Sequence, residues 1–359
     1  MNCNQNKLNS IQALRGLAAM LVVMFHFRTD LALNLPLANR LFGNGAIGVD
    51  LFFMISGFIA YYVTANENNG IHSSRIFIIK RLCRIVPPYV IATLFIAGNS
   101  WDKWSFTLRS FLFLPGDTTQ TAPYFGYPRL FVGWSLNYEF LFYTICALSL
   151  LFRKSKFIVL TILVTSLVAF PFFTNDHREA ISSINYGYHG YLALITNGMM
   201  LEFLAGLLIA YLAIGKKITF SRNTGRLAII SSAIYFVYVT LGFGNDLGNG
   251  HYSYASACFF LLMSVTTYES HFGIKPLRFL TSVGTVSFSV YLMHPHGLSL
   301  ARKIISRHWQ GHFAGLNTTM AALSLTALFT VIFYKYVEVW LCNTLRKKIL
   351  APKKTLTAH

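Results

Sequence analysis

Residues 11–27, IQALRGLAAMLVVMFHF, form an apolar run that contains two ionisable side chains, Arg15 and His26. A helix turns by about 100° per residue, so Arg15 and His26 lie on one stripe, roughly 16 Å apart along the axis. Ionisable groups are costly inside a membrane and usually mark a working site. We therefore expect an anion-binding guanidinium near one end of this helix and a titratable base near the other. Read separately, Arg15 could be an anchor that snorkels to the interface, and His26 a polar residue at a helix end.

The composition of the chain is that of a membrane protein. Of its 359 residues, 54% are hydrophobic and 12% are charged, whereas a soluble domain carries about 25% charged residues. Lysine and arginine number 30 against 12 acids, an excess typical of cytoplasmic loops and of contact with anionic lipids. Because the basic residues are dispersed between apolar segments, we do not expect a nucleic-acid partner. The five cysteines have no paired spacing, so we expect neither a disulfide framework nor a metal site.

The apolar segments predict an all-α polytopic membrane protein with about ten transmembrane helices. If both termini are cytoplasmic, the inner connecting segments contain about twice as many lysine and arginine residues as the outer ones. This bias favours that orientation. We expect one transmembrane domain over residues 1–345, followed by a basic cytoplasmic tail over residues 346–359. The predicted spans are residues 10–29, 46–65, 85–99, 133–152, 157–173, 192–213, 227–243, 252–268, 283–300 and 317–340.

A basic cluster precedes the third predicted span. Arg81 and Arg84 are three residues apart and share a face if the helix extends over them. Pro87 and Pro88 follow, and proline is tolerated in the first turn of a helix. Two guanidinium groups beside a cytoplasmic helix end suit the capture of phosphates. An ordinary basic cytoplasmic loop would give the same pattern.

Two acidic residues fall inside predicted spans. Glu139 lies about two turns inside the fourth span, where a carboxylate needs a partner or a watery cavity. It could orient an imidazole or form a structural ion pair with an arginine. Asp50 enters the second span at a depth similar to that of His26, and it could pair with His26 or cap its own helix. Glu202 and Glu338 are expected to be structural.

Several strings in one order resemble the acyltransferase-3 family of bacterial membrane O-acyltransferases, which includes the O-antigen acetylases. The spacing of Arg15 and His26 matches the R-x10-H pattern of that family, and the resemblance covers nearly the whole chain. The other matching strings are GVDLFFMISGF (48–58), Arg81-x-x-Arg84, WSL (134–136) with Glu139, EFLAG (202–206) and SVYLMHP (289–295), which contains His294.

This resemblance implies acyl transfer from cytoplasmic acyl-CoA, usually acetyl-CoA, to a hydroxyl of an envelope glycan or lipid-linked glycan. It implies a multi-pass protein of the bacterial inner membrane and an O-antigen-like acceptor. It also implies that Arg15 and His26 are essential, and that Arg81 and Arg84 bind the coenzyme.

We expect His26 to act as the general base, with Asp50 or Glu139 fixing its tautomer. Transfer could be direct or could pass through an acylated His26. His294 is a further candidate, although His294-Pro295-His296 is weak evidence for metal binding. Polar donors for the oxyanion are expected among Ser135, Asn137 and Tyr138.

Two other classes of protein remain open on sequence grounds. A transporter or flippase for a glycolipid or an anionic solute would also carry intramembrane ionisable residues. Such a protein usually shows internal repeats and broken helices, and the sequence has no clear pair of either. A non-catalytic subunit of an envelope assembly complex would tolerate the loss of both His26 and Glu139.

Overall fold

A computed structural model describes residues 8–96, 101–117, 120, 122–174, 188, 190–243, 250–308 and 314–351. Every regular element in this part of the chain is helical, which confirms the all-α expectation. Short 3-10 turns precede α6 and α7, and a π-helical stretch, Tyr334–Leu341, joins the last two helices. The helices are α1 (Asn9–Leu31), α2 (Leu37–Phe42), α3 (Ile47–Thr64), α4 (Ile71–Leu94), α5 (Trp101–Phe111), α6 (Trp134–Ser149), α7 (Lys156–Thr174), α8 (Tyr191–Ile195), α9 (Met200–Ile214), α10 (Arg222–Thr240), α11 (Gly250–Phe272), α12 (Arg278–Thr285), α13 (Ser287–His308), α14 (Ala314–Phe333) and α15 (Cys342–Leu350).

The helices agree with a membrane protein. Four stretches of the described residues are long and apolar enough to cross a bilayer, namely Asn9–Leu31, Leu37–Thr64, Phe131–Phe173 and Ala314–Leu350. Each of the ten predicted spans overlaps a helix, but the number of spans and the sidedness of the termini stay predictions. The predicted tail begins inside α15, and residues 352–359 lie outside the described residues.

Helix α4 differs from its prediction. It begins at Ile71 and not near residue 85, so Pro87 and Pro88 lie in its interior. Proline lacks a backbone N–H, and these two prolines therefore leave the carbonyl groups of Cys83 and Arg84 without their usual partners four residues on. Membrane helices tolerate this where other protein groups or water satisfy the carbonyls. Cys83 and Arg84 border a large cavity, which supplies such an environment.

Glycines allow two close helix crossings, which is the usual way in which membrane helices pack. A Cβ at Gly16 of α1 would lie 2.1 Å from the Leu280 carbonyl oxygen of α12, and one at Gly284 would lie 1.8 Å from the Gln12 oxygen. Helices α3 and α9 cross in the same manner at Gly57 and Gly206. Helix α1 therefore has a fixed position against α12 and also packs against α3, α13 and α14.

An aromatic stack joins α6 to the α3–α9 pair. The ring of Phe203 stacks on Phe53 with centroids 4.7 Å apart and on Phe142 with centroids 4.4 Å apart. All three side chains are buried. This stack holds α6, which carries Ser135 and Glu139, beside the helix that carries Asp50.

Candidate functional site

His26 lies near the C-terminal end of α1 and is in direct contact with His294 of α13. The Nδ1 atom of His26 is 3.2 Å from Nε2 of His294 and 2.9 Å from the Val22 carbonyl oxygen. The Nδ1 atom of His294 is 3.2 Å from the Val290 carbonyl oxygen. His294 has no exposed surface, whereas His26 is half-buried. The two helices thus hold a pair of imidazoles in a defined geometry.

These partners determine which nitrogen of each ring carries the proton. A backbone carbonyl oxygen only accepts, so Nδ1 of each histidine is the N–H donor. The Nε2 atom of His294 then accepts from His26, and the Nε2 atom of His26 keeps its lone pair. The tautomers are inferred from the hydrogen-bond network. Neutral His26 can therefore take a proton at Nε2 while its Nδ1–H stays held.

A large cavity opens at the opposite, N-terminal end of α1, and we call it the inner cavity. It encloses about 1660 Å³ when the part open to the surroundings is counted. Positive charge predominates in its lining, because five basic side chains face two carboxylates. The charged lining residues are Arg15, Lys80, Arg81, Arg84, Arg346, Glu67 and Glu338.

Arg81 is held in place by aromatic rings. Its guanidinium carbon lies 4.7 Å from the centroid of Tyr143 and 5.3 Å from that of Phe77. Arginine stacks on aromatic faces in this way and keeps its N–H donors free for a planar anion. The predicted pair Arg81 and Arg84 therefore lies at the inner cavity together with Arg15.

A second cavity, which we call the central cavity, continues from the inner one. It has a volume of about 720 Å³ when the part open to the surroundings is counted, and the two cavities share Arg15, Arg81 and Arg84 in their linings. Glu139 lines the central cavity and accepts hydrogen bonds from Ser56 Oγ at 2.9 Å and from the Tyr143 hydroxyl at 2.7 Å.

Ser135 and Tyr291 also line the central cavity. Their hydroxyl oxygens are 2.7 Å apart, and Tyr291 donates to the Val132 carbonyl oxygen at 2.8 Å. The ring centroids of Tyr291 and His294 are 5.9 Å apart. His26 therefore lies one layer of side chains beyond the cavity lining, behind Tyr291 and His294.

Neither predicted carboxylate partner of His26 occupies that position. Among the described residues, the hydrogen bonds of His26 go to Val22 and His294. Glu139 bonds to hydroxyl groups in the central cavity, while Asp50, in the first turn of α3, contacts Glu202 of α9. The expectation that Asp50 or Glu139 fixes the tautomer of His26 is wrong, because the Val22 carbonyl group and the His294 imidazole occupy that position.

The three predicted oxyanion donors have different surroundings. Ser135 faces the central cavity. Tyr138 is fully buried and donates to the Pro123 carbonyl oxygen at 2.9 Å. Asn137 is also buried, and its Oδ1 atom has no hydrogen-bond partner in the described part of the chain. Of the three, the structure brings Ser135 to the site.

A family model described as an acyltransferase domain matches residues 8–335. The chain belongs to this acyltransferase family. It is also similar to the exopolysaccharide production protein ExoZ of Rhizobium meliloti (strain 1021), with 27% identity over 284 residues that cover 72% of this chain and 78% of that protein. No solved structure gives a significant match.

Two residues at the site of this acyltransferase were not assigned roles from sequence. Tyr291 was not singled out, although it precedes His294 by three residues and so shares its face of α13. A polar pair at that spacing in an apolar helix was the available signal. Glu338 was expected to be structural, yet it lines the inner cavity and accepts a hydrogen bond from Ser289 at 2.6 Å. It lies in the π-helical stretch, a feature often found at functional sites.

Proposed function

We propose that this acyltransferase takes an acyl group, acetyl in the simplest case, from acyl-CoA at the inner cavity. It passes that group to a hydroxyl of an envelope polysaccharide at the opposite end of α1. One observation carries the proposal: the arginine-lined inner cavity shares Arg15, Arg81 and Arg84 with a central cavity. The lining of that central cavity includes Tyr291, whose ring centroid is 5.9 Å from that of His294. The likeness to a protein named for exopolysaccharide production supports a polysaccharide acceptor.

The inner cavity suits the donor. Coenzyme A carries several phosphates, and guanidinium groups bind phosphate through paired charge-assisted hydrogen bonds. Arg81 and Arg84 are the proposed phosphate ligands, with Arg15 deeper in the cavity. The roughly 16 Å between Arg15 and His26 along α1 leaves room for the extended arm that ends in the thioester. The basic excess of the predicted cytoplasmic loops supports entry from the cytoplasm.

The histidine end suits the chemical step. The Nε2 lone pair of His26 removes the proton of the acceptor hydroxyl while its oxygen attacks the thioester carbonyl carbon. A C–O bond forms, the C–S bond breaks, and the coenzyme thiolate leaves with the proton that His26 returns. The products are an ester and free coenzyme A. An acyl-histidine route uses the same Nε2 atom as a nucleophile.

Ser135 is the proposed oxyanion donor. Tyr291 donates to the Val132 carbonyl oxygen at 2.8 Å, and Ser135 Oγ lies 2.7 Å from the Tyr291 hydroxyl and 3.3 Å from the same carbonyl oxygen. The hydrogen of Ser135 can instead rotate from Tyr291 towards an acyl oxygen in the central cavity. A donor aimed at a developing oxyanion typically contributes about 10²–10³-fold to the rate.

The donor site is tested by thermal stabilisation of the purified protein by acetyl-CoA and by acetyl-CoA lacking the 3′-phosphate. Arg81→Gln and Arg84→Gln should each weaken acetyl-CoA binding by roughly tenfold or more, because each removes charge-assisted hydrogen bonds. The matched control is Arg222→Gln, an exposed arginine at the start of α10, which should bind like the wild type. Unchanged binding in both site variants would remove the phosphate role.

The base is tested by mass spectrometry of surface polysaccharide from cells that carry wild type or His26→Ala. The variant should insert and bind acetyl-CoA but lose acetylation, because a positioned base supplies about 10²–10⁴-fold. His72→Ala, which changes an exposed histidine at the start of α4, is the control and should acetylate normally. Normal acetylation by His26→Ala would exclude His26 as base and as nucleophile.

A further inference from the structure

A separate pocket lies at the C-terminal end of α1, opposite the inner cavity, and we call it the outer pocket. It encloses about 680 Å³ when the part open to the surroundings is counted. Its side walls come from Phe25, Tyr124, Trp134 and Tyr254, and Asp50 lies in its lining. Neither the proposed donor site nor the histidine pair assigns a role to this pocket.

Asp50, which belongs to the lining of this pocket, has a spare hydrogen-bond acceptor. The residue is 3% exposed, and its Oδ1 atom has no hydrogen-bond partner among the described residues. Its carboxyl group contacts that of Glu202, which is 6% exposed and has an Oε2 atom without a partner in the described part of the chain. A hydrogen bond between two carboxyl groups requires at least one proton between them, so the pair carries at most one negative charge while this contact is kept. Buried unpaired acceptors are costly and indicate a missing donor.

The α3 helix does not account for this acceptor. Asp50 lies in the first turn, where a carboxylate is favoured by the helix dipole. The N-cap of α3 is nevertheless Ala46, with no side-chain capping hydrogen bond. Asp50 is therefore not the N-cap of α3, and its Oδ1 atom has no partner among the described residues.

The remaining walls define the class of ligand. The rings of Tyr124 and Trp134 meet edge to face with centroids 4.9 Å apart. Both rings belong to the pocket lining and give it flat apolar surface. Burial, with smaller contributions from Tyr127 and Asp50, raises the pKa of Tyr124, so its phenol stays a donor. A carboxylate acceptor between aromatic faces suits a molecule that has several hydroxyl groups and an apolar ring face.

Charge excludes other classes. The carboxyl pair repels an anion, and the guanidinium of Arg28 lies 3.9 Å from the centroid of Phe25, which places a positive charge beside the pocket wall. That charge disfavours a cation. The described residues contain no cluster of acids, histidines and cysteines that could hold a metal ion. A neutral sugar ring meets these requirements.

The outer pocket also adjoins the chemistry. Phe25 packs edge-on against the His26 ring with centroids 5.1 Å apart. Val49 lines both the outer pocket and the central cavity. A ring held in the outer pocket is therefore separated from His26 by the Phe25 side chain and from the central cavity by Val49.

We propose that the outer pocket binds a neutral pyranose unit of the acceptor glycan, with Asp50 accepting a ring hydroxyl and Tyr124 and Trp134 packing on the sugar. The proposal rests on the function proposed above, since it names the acceptor subsite of that reaction. It assigns Asp50 to binding and not to the orientation of His26.

The test uses saturation-transfer NMR on the purified full-length protein in nanodiscs, with methyl β-D-glucopyranoside and methyl β-D-galactopyranoside as probes. Wild type should transfer saturation to at least one sugar. Asp50→Asn and Trp134→Leu should weaken that binding by roughly tenfold, because they remove a charge-assisted hydrogen bond or a stacking surface. Asp30→Asn is the matched control, because Asp30 lies at the same end of α1 and pairs with Arg302 outside the pocket.

Stabilisation by acetyl-CoA is measured on the same samples as the readout of folding and of the donor site. Weakened sugar binding with intact acetyl-CoA stabilisation supports the subsite. Absence of sugar binding in wild type, or binding by Asp50→Asn equal to that of wild type, overturns it. If Asp50→Asn does not fold, Tyr124→Leu in the loop before α6, which removes an aromatic ring from the pocket wall, decides the question by the same criterion. Sugar binding without acetyl-CoA stabilisation in wild type would contradict the proposed donor while leaving the subsite in place.

Discussion

Replacement of His294 by leucine isolates its contribution to the histidine pair. His294 accepts the Nδ1–H of His26 at 3.2 Å, while the Val22 carbonyl oxygen accepts the same hydrogen at 2.9 Å. The variant removes one acceptor and keeps the other. His26 therefore keeps its tautomer, and the loss is confined to the stabilisation of the imidazolium that forms when Nε2 takes the proton.

The size of the effect follows from that contact. A hydrogen bond to a charged group contributes about 1.5–3 kcal/mol, which corresponds to roughly 10- to 150-fold in rate. Because Val22 shares the hydrogen, we expect kcat to fall towards the lower end of that range. Where a base loses its correct tautomer, the rate falls by roughly 10⁴-fold. A loss of imidazolium stabilisation and a loss of the tautomer therefore differ by orders of magnitude in their effect on kcat.

The assay is transfer of labelled acetyl from acetyl-CoA to the acceptor glycan by the purified protein in nanodiscs. His294→Leu should lower kcat and leave the KM for acetyl-CoA near that of wild type, because His294 does not line the inner cavity. His294→Gln should recover part of the rate, since its amide oxygen can replace Nε2 as the acceptor. A thermal melt of each variant serves as the folding control.

Two results would refute this reasoning. A wild-type kcat in His294→Leu would mean that the imidazole contact does not stabilise the reacting His26. A loss as large as that of His26→Ala would mean that Val22 alone cannot hold the tautomer. Equal rates in the leucine and glutamine variants would show a packing role without any acceptor function.

Two further predictions concern the surroundings of the pair. Ser135→Ala should lower kcat by about 10²–10³-fold with unchanged stabilisation by acetyl-CoA. The control, Ser149→Ala at the other end of α6, should match wild type. An unaltered kcat in Ser135→Ala would assign the oxyanion to another donor. Gly284→Ala should destabilise the protein by about 1–3 kcal/mol, because its Cβ would lie 1.8 Å from the Gln12 oxygen. Thermal unfolding measures this, with the exposed Ser282→Ala as control; equal stability of the two variants would mean that α1 and α12 separate without cost.

The sequence was sufficient for the features that depend on one helix. The apolar run predicted α1, which the structure extends from Asn9 to Leu31. The helical period alone puts Arg15 and His26 at opposite ends of one stripe, and the structure brings Arg15 to the inner cavity. The same reasoning grouped Arg81 with Arg84, and these residues also line that cavity.

Contacts between distant helices were not accessible in this way. His26 and His294 are 268 positions apart, and periodicity within a helix says nothing about which helices become neighbours. A carboxylate was expected beside His26 because histidine bases are commonly oriented by one. The structure uses a backbone carbonyl group and a second imidazole, and backbone partners leave no trace in side-chain patterns.

The start of α4 was misplaced for a different physical reason. Adjacent prolines usually occupy a first turn, where the missing N–H costs nothing. In α4 the interior Pro87 and Pro88 expose the carbonyl groups of Cys83 and Arg84, beside a cavity that can satisfy them. The cost of these prolines depends on that cavity, and the cavity is built by other helices.

The position of the histidine pair depends on the contact between Gly16 and Gly284, each of which lies 10 residues before its histidine. Gly16 of α1 meets Gly284 in the same crossing, and His26 of α1 meets His294. The glycine and the histidine are separated by 10 residues in α1 and by 10 residues in the α12–α13 segment, and the glycine comes first in both. The two segments therefore run parallel, and each rises by roughly 15 Å between the two contacts. A side chain at Gly284 that forces the helices apart therefore also acts on the imidazole contact. The glycine crossing beside Arg15 thus sets the register of the donor end and of the basic nitrogen together, although neither glycine touches a reacting group.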